Sequence, residues 1–220
     1  MKLLIDQPAG IGDILFIQKI VKEFSSEGHE VYLPVEESLA WMCDYLSTIT
    51  VWDECKDVNF DVRLMLRSAS WSFLGEKIMK SKYLLAQKSF TNYIDYVDIT
   101  RNFEREESLY EKMIVSKPYR LVCPWFGTPD KNGKSMLHMD IPRSEEINNV
   151  VMDIQEGYTL FDWLKIIQNA EEIYTTDSSI MFLIEKYECE AKKLVAYPRR
   201  STPSEVDYLF KKDWEYVCKN

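Results

Sequence analysis

An aspartate follows two closely spaced glycines near the start of the chain, in the segment Gly10-Ile11-Gly12-Asp13. The apolar run Leu3-Leu4-Ile5 before it predicts a buried strand, and apolar residues at spacings of three and four predict a helix from Asp13 onward. A carboxylate at the first turn of a helix is stabilised by the helix dipole. Asp13 could therefore cap the helix, or it could stay ionised and accept a proton from an attacking hydroxyl. The spacing alone does not separate these two interpretations.

The two glycines resemble the beginning of the dinucleotide-binding fingerprint GxGxxG. The third glycine is missing, because Ile14, Leu15 and Phe16 follow Asp13. No acid closes the second predicted strand, at residues 29–35, before Glu36. The sequence therefore argues against a nicotinamide or flavin site. What remains is a turn in which Gly10 and Gly12 allow a ligand to approach the backbone closely.

A second group of polar side chains, Thr175-Thr176-Asp177-Ser178-Ser179, lies between a predicted strand and a predicted helix. Hydroxyls and free backbone N–H groups at the start of a helix suit a phosphate or diphosphate. The same residue types are also frequent as simple N-caps, without any ligand. The motif by itself leaves both interpretations open.

Strands and helices alternate along the chain, which is typical of parallel α/β folds. The domain boundary is expected at 116–118, which gives an N-terminal domain, 1–116, and a C-terminal domain, 117–220. Because ligands bind beyond the carboxyl ends of parallel strands, the two turns are expected to face a common cleft. Predicted strands are 3–5, 29–35, 48–52, 61–66, 94–99, 119–123, 149–154, 172–176 and 193–197, and predicted helices are 13–24, 36–46, 71–86, 101–115, 160–169, 180–184 and 205–217, with a turn at 124–129.

The composition indicates a globular chain. Its 220 residues are 46% hydrophobic and 13% aromatic, which suffices for packed cores and excludes an intrinsically disordered chain. No apolar run reaches the roughly 18–20 residues that cross a bilayer, and the first residues do not resemble a signal peptide. Five scattered cysteines without a CxxC pair suggest reduced thiols. We therefore expect a cytoplasmic protein without a transmembrane segment.

Charge and potential metal ligands narrow the function further. A net charge of −9 argues against binding of long nucleic acid by general electrostatics. Two histidines and dispersed cysteines argue against structural zinc. Asp95 and Asp98 could hold a cation, but their spacing points them to opposite faces of the predicted strand at 94–99. The basic clusters are short, and the first is expected at the solvated surface; they are Lys80/Lys82, Lys131/Lys134 and Arg199/Arg200.

Taken together, the two motifs resemble a known enzyme class. LIDQPAGIGDILFIQKIVKEF followed by HEVYLPV is similar to the opening of heptosyltransferase-like glycosyltransferases (glycosyltransferase family 9). LFDWLKIIQNAEEIYTTDSSIMFLIEKY followed by KKLVAYP is similar to the second-domain segment of the same GT-B class. The order and separation of the motifs fit, in a shortened chain. The resemblance implies a minimal GT-B fold, with two Rossmann-like parallel-sheet halves facing a central cleft.

The resemblance also implies a role for individual residues. Asp13 would be the general base that deprotonates the acceptor hydroxyl, beside a turn formed by Gly10 and Gly12. Residues 177–179 would hold the diphosphate and sugar of a nucleotide-sugar donor, without a metal or a further cofactor. The donor-binding residues implied are Thr128, Lys134, Asp177, Ser178, Ser179 and Arg199, with Arg200 as an alternative to Arg199 and with Glu156 reaching the ribose. Lys134 would neutralise charge on the leaving nucleotide diphosphate.

The chain departs from the family pattern at two places. Met181-Phe182 occupies the position of a histidine that usually follows the second turn, and Gln18-Lys19 lies where a Thr-Pro pair is frequent. The acceptor could be a saccharide, another hydroxyl compound or a hydroxymethylated base in phage DNA, which would be read as a flipped base in a pocket. The main alternative is a non-catalytic module that binds nucleotide sugars.

Overall fold

The computed structural model describes residues 1–67, 78–127, 136–199 and 208–218 of the chain. The chain forms two compact units, Met1–Thr100 and Arg101–Asn220. The division lies closer to the N-terminus than the boundary expected at 116–118, because the helix Phe103–Met113 packs against the helical segment Leu160–Gln168 of the second unit. Each unit contains a parallel sheet together with helices, so the predicted α/β class is confirmed.

The first unit has a three-stranded parallel sheet in the order β2-β1-β5 and a separate parallel pair, β3-β4. Its strands are β1 (Lys2–Ile5), β2 (Glu30–Tyr32), β3 (Pro34–Val35), β4 (Thr50–Val51) and β5 (Val62–Leu64), and its helices are α1 (Ile11–Phe16), α2 (Gln18–Ser26), α3 (Trp52–Cys55) and α4 (Ile78–Leu85), with 3-10 helices at Glu37–Asp44 and Tyr93–Tyr96. Leu3 of the central strand lies between Val31 and Val62. The strand order reverses at β1, so the switch point of this sheet lies between β1 and β5.

The second unit has a five-stranded parallel sheet in the order β12-β11-β10-β6-β9. Its strands are β6 (Tyr119–Cys123), β7 (Trp125–Phe126), β8 (Leu137–His138), β9 (Asn148–Val151), β10 (Glu172–Thr176), β11 (Lys193–Tyr197) and β12 (Trp214–Tyr216), and its helices are α5 (Phe103–Met113), α6 (Leu164–Gln168), which follows a 3-10 helix at Leu160–Trp163, and α7 (Ile180–Lys186). The switch point lies between β6 and β10, where Cys123 pairs with Thr175.

Two predicted elements are wrong in the described part of the chain. The strand expected at 94–99 is instead the 3-10 helix Tyr93–Tyr96, preceded by Asn92 in the left-handed conformation with φ 58°. A closing helix was expected over 205–217, yet Trp214–Tyr216 is strand β12. It pairs with β11 and buries Trp214 beside Leu194, a pairing with a distant segment that no local pattern reveals.

Two smaller differences concern segments near the predicted sites. Within the turn expected at 124–129, Trp125–Phe126 forms strand β7, which pairs antiparallel with β8; residues 128 and 129 lie outside the described part. The sequence places Leu84 and Leu85 on the apolar side of the helix predicted at 71–86, but both residues are exposed in α4. Among the described side chains of α4, those of Ser81, Lys82 and Tyr83 are buried.

Neither disulfides nor membrane helices occur in the described residues. All five cysteines lie in that part of the chain and are free thiols. None of the helices described there combines the length and the apolar character needed to span a bilayer.

Candidate functional site

Asp13 lies in the first turn of α1, just beyond the carboxyl end of β1. The chain turns into this helix at Gly10, which has φ 85° and whose carbonyl accepts a hydrogen bond from Ile14 N–H at 2.9 Å. A Cβ on Gly10 would lie 2.6 Å from Oδ2 of Asp13. Gly10 therefore leaves room for this carboxylate, whereas Gly12 is a residue of α1 itself.

A buried lysine contacts Asp13 from α4. Nζ of Lys82 is 3.1 Å from Oδ1 of Asp13, and Lys82 is only 2% exposed. The same ammonium donates to Oε1 of Gln7 at 2.5 Å and to the carbonyl of Leu66 at 3.2 Å. One ion pair and two hydrogen bonds therefore hold the ammonium of Lys82. The side chain of Asp13 is 36% exposed, so its carboxylate is held but not enclosed.

These groups meet at the switch point of the first sheet. Gln7 follows β1, and its Nε2 donates to the carbonyl of Ala9 at 2.8 Å, which fixes the turn. Leu66 follows β5, the neighbouring strand. The carboxyl ends of both strands therefore supply partners for Lys82, in the location where open parallel sheets bind ligands.

Lys82 is not among the site residues predicted from the sequence, and the expectation that it lies at the solvated surface is wrong because it is buried. Composition groups Lys82 with Lys80 as a basic surface cluster. Its spacing within the predicted helix, however, indicates burial. It lies four residues after Ile78 and four before Ala86, a spacing that places residues on one helix face, and Ala86 is buried. A lysine in such a series of apolar positions indicates a buried ammonium with specific partners.

In the second unit, Asp177 follows β10 and contacts Arg199, which follows β11. Oδ1 of Asp177 accepts hydrogen bonds from the backbone N–H of Arg199 at 2.9 Å and from its Nε at 2.8 Å. Asp177 is 7% exposed, whereas the side chain of Arg199 is 45% exposed. Since β10 and β11 are adjacent and parallel, the sheet brings together two residues that are 22 positions apart in sequence.

The ring of Phe126, which was not predicted from the sequence, lies at the same carboxyl end of the strands. The guanidinium carbon of Arg199 is 5.6 Å from the ring centre of Phe126, which belongs to β7 and follows β6. Since Nε donates to the buried Asp177, the guanidinium is oriented by the Asp177 carboxylate together with the Phe126 ring. Its Nη atoms carry four further donors, a suitable arrangement for a phosphate group.

Of the remaining residues predicted to bind the donor, three lie in the described part of the chain and three outside it. Ser178 and Ser179 are partly buried between β10 and α7, and Ser179 makes no side-chain cap hydrogen bond to α7. Glu156 is exposed in the turn after β9, and no described contact joins it to Asp177 or Arg199. Thr128, Lys134 and Arg200 lie outside the described residues.

Cys123 ends β6 close to this site but is not suited to nucleophilic chemistry. Complete burial raises the pKa of its thiol well above the usual range. The thiol therefore stays protonated at neutral pH and does not supply a thiolate. Among the described residues, no three His, Cys, Asp or Glu side chains cluster to hold a metal ion.

Comparison with known proteins finds similarity in structure but not in sequence. No protein-family model matches the chain, and no curated protein matches it at the significance level applied. Among solved structures, it is similar to TibC, a bacterial iron-containing dodecameric glycosyltransferase from enterotoxigenic E. coli H10407, with a TM-score of 0.60 and 11% identity. That match covers 100% of this chain and 62% of TibC, so the chain spans less than two thirds of that enzyme.

Two further structures show the same likeness. The E. coli ADP-heptose LPS heptosyltransferase II matches with a TM-score of 0.58 and 10% identity, over 99% of this chain and 90% of that one. A family 9 glycosyltransferase from Veillonella parvula matches with a TM-score of 0.58 and 9% identity, over 98% and 86%. The resemblance expected from the two motifs is thereby confirmed at the level of the fold, which this chain shares with heptosyltransferases and family 9 glycosyltransferases.

Proposed function

We propose that the protein is a glycosyltransferase that moves a sugar from a nucleoside-diphosphate donor to a hydroxyl acceptor. The observation that carries this proposal is the placement of Asp13 and Asp177. Each lies beyond the carboxyl end of a parallel strand at or beside the switch point of its sheet, where ligands bind in such folds. The fold shared with sugar transferases supports the same conclusion.

The second unit binds the donor in this proposal. Arg199, oriented by Asp177 and Phe126, presents donors to the diphosphate. The hydroxyls of Ser178 and Ser179 contact the phosphates or the sugar. Thr128 and Lys134 complete this site, and Lys134 and Arg199 stabilise the charge that develops on the leaving nucleotide diphosphate. These two cations take the role that a divalent metal has elsewhere, so the proposed transfer is independent of metal.

The first unit supplies the base. The carboxylate of Asp13 accepts the proton of the acceptor hydroxyl while the acceptor oxygen bonds to the anomeric carbon of the sugar. The bond between that carbon and the diphosphate oxygen breaks, and the nucleotide diphosphate leaves with the electron pair. Gly10 in the turn and Gly12 in the first turn of α1 lack side chains that would hinder the approach of the acceptor or the sugar.

Donor binding is tested by thermal unfolding against a panel of ADP-, GDP-, UDP-, CDP- and dTDP-sugars. A ligand that binds only the folded protein raises its unfolding temperature, and we expect one nucleotide class to do so. Arg199→Met should weaken binding of that donor about tenfold. Arg120→Met is the matched control, since Arg120 pairs with Glu172 at the amino ends of β6 and β10, away from the site. If none of the nucleotides stabilises the protein, the proposal is wrong.

Catalysis is tested with the donor so identified, by donor hydrolysis and by transfer to a panel of saccharides and hydroxymethylated DNA. We expect Asp13→Asn to lower turnover by about 10²- to 10⁴-fold while donor affinity is retained, and EDTA to leave transfer unchanged. Donor binding without turnover on any acceptor would identify a non-catalytic module instead. Transfer confined to modified DNA, with a steep loss as salt rises, would identify a DNA-modifying enzyme.

A further inference from the structure

Lys82 is a buried cation to which the proposed chemistry assigns no part. At 2% exposure it cannot reach a substrate, and its ammonium is already held by an ion pair with Asp13 and by hydrogen bonds to Gln7 and Leu66. A buried ion pair often contributes no more to the free energy of unfolding than apolar residues of similar volume would. Its contact with Asp13 therefore calls for a functional explanation.

We propose that Lys82 is a positioning residue that holds Oδ1 of Asp13, so that Oδ2 accepts the proton of the acceptor hydroxyl. This inference rests on the proposed function, in which Asp13 is the base. In the transfer step, the proton of the acceptor O–H moves to Oδ2, while Oδ1 stays ion-paired with Nζ of Lys82. The ammonium loses no proton and remains a charged donor throughout.

An ion pair on one side and open space beside Gly10 on the other define the orientation of the carboxylate. Nζ of Lys82 is 3.1 Å from Oδ1, and the open side of Gly10 receives Oδ2, at 2.6 Å from the position that a Cβ would take. Lys82 is itself anchored to Gln7 after β1 and to Leu66 after β5. The base is thereby fixed to two strands of the sheet rather than to its own short helix alone.

The test combines Asp13→Asn, Lys82→Met and the double variant in a kinetic cycle. Lys82→Met should lower kcat of transfer by about 10- to 100-fold, as expected when a catalytic group is misplaced by about 1 Å, and should leave the donor Kd unchanged. In the Asp13→Asn background the same change should have no further effect on the residual rate, because Lys82 acts through Asp13. Lys80→Met is the matched control, since it removes a lysine two positions away on α4.

The outcomes separate this inference from the proposed function. Unchanged kcat in Lys82→Met, or an equal loss in both backgrounds, would overturn the positioning role while leaving Asp13 as the base. Full activity of Asp13→Asn would overturn the proposed base itself, and the inference with it. Circular dichroism and thermal unfolding verify that each variant folds. If Lys82→Met does not fold, Lys82→Gln is used, whose amide can still donate to Gln7 and Leu66 while the charge is removed.

Discussion

At the residue scale, Gly10 and Asp13 depend on each other sterically. Gly10 combines a positive φ of 85° with an open face that the Asp13 carboxylate occupies. Gly28 has nearly the same φ, 84°, but a Cβ there would meet nothing within 4 Å. It lies directly after Glu27, the C-cap of α2, in the position where glycine commonly ends a helix. Substituting the two glycines therefore distinguishes the strain of a positive φ, which both positions share, from displacement of the Asp13 carboxylate, which is expected only at Gly10.

Gly10→Ala is expected to displace Asp13 and Gly28→Ala is not. Both should lose about 1–2 kcal/mol of unfolding free energy, because an L-residue is strained at positive φ. Only Gly10→Ala should also lower the transfer rate, by about tenfold or more, since the new methyl group pushes Oδ2 aside. Urea unfolding and transfer kinetics of the two variants measure these effects. Equal transfer rates in both variants would show that the space beside Gly10 is irrelevant to Asp13.

At this scale the sequence points to residues whose type and chain position coincide, and their roles stay predictions. Asp13 and Asp177 were identified because each follows a predicted strand and begins a predicted helix, and Arg199 because it is a cation in the next such loop. Lys82 was missed because it was assessed as part of a charge cluster rather than as a member of a helix face. Phe126 was missed because its contact with Arg199 depends on how β6, β10 and β11 are ordered.

At the element scale, a buried carboxylate joins α5 to the 3-10 helix that precedes α6. Asp162 is fully buried and accepts hydrogen bonds from Arg105 at 3.0 and 2.7 Å. It also accepts from Thr159, through the backbone N–H at 2.7 Å and the hydroxyl at 3.1 Å. One side chain therefore caps a helix and attaches another helix to it.

We expect Asp162→Ala to destabilise the second unit by about 3 kcal/mol, because it removes a helix cap and the two charged hydrogen bonds that Arg105 donates to Asp162. Glu107→Ala is the control. It breaks the ion pair with Lys165, which also joins α5 to α6 but lies at the surface, and it should cost less than about 1 kcal/mol. Denaturant unfolding monitored by tryptophan fluorescence compares the two. A similar loss in both variants would contradict the role assigned to Asp162.

Local patterns predicted the elements that are buried on both faces better than those at edges. The strands Tyr119–Cys123, Glu172–Thr176 and Lys193–Tyr197 have the bounds expected from sequence, since central parallel strands form short apolar runs. The segment at 94–99 alternates like a half-exposed strand, yet a left-handed Asn92 leads into a 3-10 helix there. The alternating pattern indicates correctly that Val97 and Ile99 are buried. It does not indicate whether the backbone that buries them is a strand or a helix.

At the scale of the whole molecule, the order of strands and the division of the chain depend on contacts between distant segments. In the second sheet, for example, β6 lies between β9 and β10. Helix α5 is a second example, because the first half of its sequence contains more charged than apolar residues. Its sequence therefore gives little indication of which unit it joins. Leu109 and Glu106 are nonetheless buried, and Arg105 contacts Asp162. These contacts assign α5 to the second unit.

The division of the chain leads to a test with two fragments of the protein. The fragment 101–220 keeps α5 and its contact between Arg105 and Asp162, whereas 117–220, which follows the boundary expected from sequence, leaves Asp162 without that partner. We expect 101–220 to unfold cooperatively on heating and 117–220 to be less stable and to expose apolar surface that binds ANS, because Leu109 no longer covers it. Differential scanning calorimetry and ANS fluorescence make the comparison. Equal stability of the two fragments would place the boundary at 116–118 and would show that α5 contributes nothing to the folding of the second unit.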